Sequence, residues 1–135
     1  ALVGEDFYVA NSDAIMKFPY RSGDIKIDAA GVKLADLPAG PLNHHWTKDV
    51  IAGRDGRKLY ATAGSNSQVG ENGIKAEENR AAVLEIDLAS RKMRVFAAGL
   101  RNPNGLAWNP ADGRLWLAAC IGVISRCGGC ARRRH

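Results

Sequence analysis

At 135 residues the chain has the length of one domain with a moderate core, which excludes a multidomain assembly within it. Fifteen glycines, two methionines and short apolar runs point away from a helical bundle or a disordered chain and toward an all-β protein. The net charge of +5 hints at an acidic partner, but Arg126, Arg132, Arg133 and Arg134 account for it; without them 15 basic residues face 14 acidic ones, so no dispersed nucleic-acid footprint remains.

No apolar run approaches the roughly 20 residues that span a bilayer, and no basic-then-apolar leader is visible at the N-terminus. The first strand is expected at Phe7-Tyr8-Val9-Ala10, running into a turn at Asn11-Ser12-Asp13. A second strand reads over 14–20. Its Pro19 cannot donate to a ladder, so this strand should lie at an edge or finish early. A third, near Val32-Lys33-Leu34-Ala35-Asp36-Leu37, ends at Pro38-Ala39-Gly40-Pro41. Next come Val50-Ile51-Ala52, the turn Arg54-Asp55-Gly56-Arg57 and Leu59-Tyr60-Ala61-Thr62-Ala63. Asp-Gly between two apolar runs is a strong hairpin signal, because glycine supplies the positive φ of the turn.

Residues 64–79 are polar and glycine-containing and read as a long functional or mobile loop. A strand over 81–87 then turns at Ser90-Arg91-Lys92 and pairs with Met93-Arg94-Val95-Phe96. A helix over 77–88 competes on propensity, but Val-x-Glu-Ile-Asp before a short polar turn favours the strand. In the last third, Leu106-Ala107-Trp108, Asp112-Gly113-Arg114 and Leu115-Trp116-Leu117 repeat the pattern of Val50-Ile51-Ala52, Asp55-Gly56-Arg57 and Leu59-Tyr60-Ala61. The Asp-Gly pairs lie 57 residues apart. An interval of about four short strands is that of a β-propeller blade with one extended loop, whereas a β-sandwich would not require the recurrence.

Two segments precede equivalent strands in this pattern. His45 lies ten residues before Asp55, Asn102 ten before Asp112, and Arg101 one earlier. In a propeller such positions face one another across an axial pocket. An imidazole can take a substrate proton near neutral pH, and a guanidinium can hold a developing oxyanion or a carboxylate. The plainer alternative is that Arg101 and Asn102 cap the turn at Pro103 and His45 fills a loop.

Gly-Leu-Arg-Asn-Pro-Asn-Gly-Leu-Ala-Trp over 99–108, with His44-His45-Trp46-Thr47-Lys48 and Gly64-Ser65-Asn66-Ser67, resembles the glucose/sorbosone dehydrogenase family of quinoproteins. Val69-Gly70-Glu71-Asn72-Gly73 and Ala76-Glu77-Glu78-Asn79-Arg80-Ala81-Ala82 are similar to its sorbosone dehydrogenase branch. The resemblance spans about Phe7 to Trp116. It implies a six-bladed propeller, of which 1–117 would supply about two blades. It also implies pyrroloquinoline quinone (PQQ) in the axial pocket, a sugar substrate, an electron acceptor that is a quinone or cytochrome, and a periplasmic or secreted location. His45 would then be the general base at the anomeric hydroxyl, and Arg101 and Asn102 would hold the cofactor's reactive carbonyl. His44 reads as a neighbour, and Trp46 and Lys48 as packing and rim. A calcium-dependent lactonase-type propeller would need an axial Glu, Asn and Asp cluster, and a non-catalytic propeller would not need His45 at all.

The last segment departs from the family. The family continues after the equivalent of Trp116 with an acidic stretch tied to calcium binding, so calcium ligands and any other metal site are not identifiable in this chain. Residues 118–135 instead hold all three cysteines and the arginine cluster, and read as a poorly ordered or frameshifted tail. Cys127-Gly128-Gly129-Cys130 has the spacing of a zinc half-site or redox pair, yet only Cys120 and His135 could complete a zinc site. An open piece of a propeller has unpaired edges, so the chain alone is expected to be inactive.

Overall fold

Turn residues at short intervals cut the chain into strands, each antiparallel to its neighbours. The computed structural model describes residues 1–40, 42 and 44–120. The first sheet takes β1 (Leu2–Val3), β2 (Asp6–Ala10), β3 (Ala14–Pro19) and β4 (Val32–Asp36) in sequence order. The second takes β5 (Val50–Ala52), β6 (Lys58–Ala63), β7 (Ala82–Asp87) and β8 (Met93–Ala97) in the same way. A hairpin of β9 (Asn102–Trp108) and β10 (Leu115–Cys120) follows. The protein is therefore all-β among the described residues, apart from one 3-10 turn, Ile74–Glu77, in the long loop.

β6 and β7 are the two central strands of the second sheet and are covered on both faces. Leu59 through Ala63 and Ala82 through Ile86 are buried throughout, as expected for strands covered on both sides. Leu59, Ala61, Ala63, Ala82, Leu84 and Ile86 join Tyr8 and Ile15 of the first sheet, and Leu37 just after β4, in one core. That burial, with β6 and β8 as ladder partners on its two sides, overrides the helix propensity of 77–88. Pro19 closes β3 rather than marking an edge. It pairs with Asp6 of β2, while pairing with β4 stops at Lys17, so no ladder bond is asked of its nitrogen on that side.

The recurrence is present with one correction. Ala52 pairs with Leu59 and Trp108 pairs with Leu115, so the strands repeat at 56 residues, while the Asp-Gly pairs repeat at 57. The interval between paired positions is six residues in both hairpins, 53–58 and 109–114, and Asp-Gly sits one place later in the second. Both turns nevertheless work alike. Gly56 and Gly113 have φ of 66° and 71°, and Asp55 and Asp112 each accept from the amide two residues on at 3.0 Å. Counted along the strands, His45 is equivalent to Arg101, not to Asn102.

β9 packs on β5 and β6 through two specific bonds. The Leu106 amide donates to Asp49 Oδ2 at 2.7 Å, and Trp108 Nε1 donates to the Ala52 carbonyl at 2.7 Å. The Trp108 ring also meets Tyr60 edge-on, with centroids 5.4 Å apart. β10 runs on to Cys120, three residues past the boundary expected at 117. The Cys127–Cys130 pair, His135 and the arginine cluster lie outside the described residues, and among the described ones no helix is long and apolar enough to cross a membrane.

Candidate functional site

β6 ends at Ala63, and Gly64 is where two other segments close in. The Ser65 amide donates to the Arg101 carbonyl at 2.7 Å and the Leu100 amide to the Ala81 carbonyl at 2.8 Å, which pins 100–101 between the end of β6 and the start of β7. From the other side His45 Nδ1 meets the Ser65 carbonyl at 2.8 Å. A Cβ built on Gly64 would collide with His45 Cβ and lie 2.8 Å from both Asn102 Oδ1 and the His45 carbonyl. Glycine is required here for want of a side chain. His45 and Asn102, which the sequence pattern expects to converge, do so over Gly64.

The His45 contact fixes its chemistry. A carbonyl can only accept, so Nδ1 carries a proton, and in the neutral ring the lone pair is then on Nε2. His45 is half-buried and His44 is exposed, so the positioned imidazole is the one the sequence favours. Asn102 Oδ1 is buried with no hydrogen-bond partner among the described residues. An orphaned buried amide oxygen is costly and marks a place where a hydrogen-bond donor would be welcome. A half-turn about χ2 would offer its NH2 group there instead.

Arg101 is placed differently. Its Nε donates to the Gln68 carbonyl at 3.0 Å and its Nη2 to Gln68 Oε1, so the guanidinium clasps the long loop. It borders an open groove of about 450 Å³ with Ser67, Gln68, Gly99 and Leu100. A larger hollow of about 640 Å³ lies at the far end of β6, around Gly56, Arg57 and Asp87. It holds the ion-paired Asp6 and Lys17 and is remote from His45.

Three residues at this corner escape the sequence pattern. Arg80 is only 5% exposed and donates Nε to the Gly64 carbonyl at 3.1 Å. Its neighbours Asn79 and Ala81 have φ of 58° and 49°, a left-handed pair that turns the chain under the site and costs alanine in particular. Lys48 is half-buried, and burial, helped by the Arg80 guanidinium, lowers its ammonium to about 8. Trp46, expected to pack, is 64% exposed and lies on the rim, while Lys48, expected at the rim, is the half-buried one of the two. Glu77 accepts from the Asn66 amide at 2.9 Å, from the Ser65 hydroxyl at 3.0 Å and from the Ser67 hydroxyl. Burial opposes ionisation of Glu77, but these bonds and Arg80 outweigh it and hold the carboxyl below its usual range. The run of small donors Ser65-Asn66-Ser67 was the available signal for a carboxylate partner. Nothing local in the sequence marks the burial of Arg80.

Among the described residues no three His, Cys, Asp or Glu side chains gather in a form that could hold a metal ion. Comparison with family models, curated proteins and solved structures returned no match to this chain.

Proposed function

We propose that this chain carries the base-bearing corner of a PQQ-dependent sugar dehydrogenase of the glucose/sorbosone type, built on part of a β-propeller. Two four-stranded meanders, and a third hairpin that repeats β5 and β6 at 56 residues, support the propeller. The meeting of His45 and Asn102 over Gly64 carries the catalytic reading. The groups suit a polar ligand: Asn102 carries a buried side-chain oxygen without a partner among the described residues, and His45 Nε2 is available as a proton acceptor in the neutral ring. The quinone, when bound, supplies the hydride acceptor. His45 Nε2 takes the proton of the anomeric hydroxyl as the C–H bond breaks, and the Ser65 carbonyl stabilises the imidazolium so formed through Nδ1–H. After the half-turn about χ2, Asn102 Nδ2 would donate to the oxygen on which charge develops. Arg101 contributes only by leaving Gln68 for the ligand. A sugar substrate, a quinone or cytochrome acceptor and a periplasmic or secreted location go with this reading, and no role is assigned to calcium.

The test is a chimaera in which residues 1–117 replace the equivalent segment of a quinoprotein sugar dehydrogenase, assayed by quinone-dependent dye reduction. His45→Ala is expected to lower kcat by about 10²–10⁴-fold, the usual contribution of a general base. Unchanged kcat in a folded variant removes His45 from the chemistry and the dehydrogenase reading with it.

A further inference from the structure

The Ser65–Asn66 peptide unit is gripped from both ends. Its carbonyl receives His45 Nδ1–H at 2.8 Å, and its N–H donates to Glu77 Oε2 at 2.9 Å. In a planar trans peptide these two groups point in opposite directions, so the carboxylate that holds one end aims the other at His45. We propose that Glu77 is a positioning residue for His45, acting through this single peptide unit.

The surroundings are built to hold it. Ser65 and Ser67 are 8% and 1% exposed. The Ser65 hydroxyl, with one proton, reaches both the Ser67 carbonyl at 2.9 Å and Glu77 Oε1 at 3.0 Å, while the Ser67 hydroxyl donates to Glu77 Oε1. The Ser67 amide returns a bond to Ser65 Oγ at 3.1 Å, and Asn72 Nδ2 caps the Asn66 carbonyl at 2.9 Å. Ser65 N, tied to the Arg101 carbonyl, fixes the third corner of the turn.

The arrangement does more than orient. A carboxylate on the N–H side polarises the peptide, which makes the carbonyl a stronger acceptor on the other side. It thereby favours the tautomer with the proton on Nδ1, as a carboxylate does when bonded directly to a histidine. Glu77 thus does the work of a buried acid beside the base without touching it. The value of this device for catalysis rests on the proposed role of His45, but its effect on the imidazole does not.

The experiment is ¹⁵N NMR of the His45 ring in the 135-residue chain, which reads the tautomer directly. In the wild type the Nδ1–H form should exceed the other by about tenfold, the ratio that one retained hydrogen bond of about 1.4 kcal/mol sustains. Glu77→Ala should bring the two forms to within about threefold, and Glu77→Gln, which keeps an oxygen for the Asn66 amide, should restore most of the bias. Glu78→Gln, at an exposed neighbour, should change nothing. A wild-type tautomer ratio in Glu77→Ala with β6 and β7 amides still protected overturns the proposal. Should Glu77→Ala fail to fold, Glu77→Asp decides: it keeps the charge but is one methylene too short, and an unchanged ratio there overturns the proposal equally. Because the readout is not activity, a tautomer shift alongside an inert His45→Ala chimaera would refute the dehydrogenase reading while leaving the Glu77 relay standing.

Discussion

At the scale of single residues, the corner around Gly64 is assembled from groups whose usual states the fold changes. Lys48 is the clearest case. Unfolded, it holds its proton up to about 10.5; folded, only to about 8. Between those values the folded chain binds fewer protons than the unfolded one, so this group makes stability rise with pH across that window. Below it the cost of a charged, half-buried ammonium is present in full. Lys48→Met should flatten the stability–pH curve between pH 8 and pH 10 in urea unfolding, and an identical slope in both proteins would show the ammonium to be solvated. His45 and Asn102 were legible because the chemistry needs an imidazole and an amide, and both types sit beside recurring strand patterns. Lys48 was legible only as a residue type. Its environment comes from Arg80, which is brought under Gly64 by a left-handed backbone at Asn79 and Ala81 that no local propensity announces.

At the scale of elements, alternation and turn chemistry were enough to place most strands, since each buries a face and each turn needs Gly, Asp or Asn at a set place. The docking of one sheet on the next was not legible, because it depends on a few long-range bonds rather than on periodicity. Asp49 illustrates this. It precedes β5, its carboxylate accepts from the amide of its own neighbour Val50 at 2.8 Å and from that of Leu106 of β9 at 2.7 Å, and its backbone amide donates to the Thr62 hydroxyl of β6 at 2.8 Å. One residue thus ties β5, β6 and β9 together, its carboxylate holding β5 and β9 and its backbone amide β6. Asp49→Ala would leave the Leu106 amide without its partner and cost about 1–3 kcal/mol. Hydrogen exchange should show the loss at β9 and β10 first, with β6 and β7 unchanged. Equal loss in all four strands would mean that Asp49 supports the core rather than the docking.

At the scale of the whole molecule, the first two sheets share one core and the third hairpin leans against it. Leu84 is fully buried within that core, so Leu84→Ala should cost about 2–5 kcal/mol and lower the unfolding midpoints of both sheets together. Separate midpoints for probes in β3 and β7 would show two independent units. β10 presents alternate residues to solvent, with Trp116 63% exposed, so its amides should exchange sooner than those of β6. The one-place offset of Asp-Gly between the two hairpins has a practical consequence for recombination. A splice that matches the turns would slide one strand by a residue against its partner and turn its whole inward face outward, Trp108 included. Crossovers placed at Ala52 and Trp108, by contrast, preserve the pleat and should yield folded hybrids.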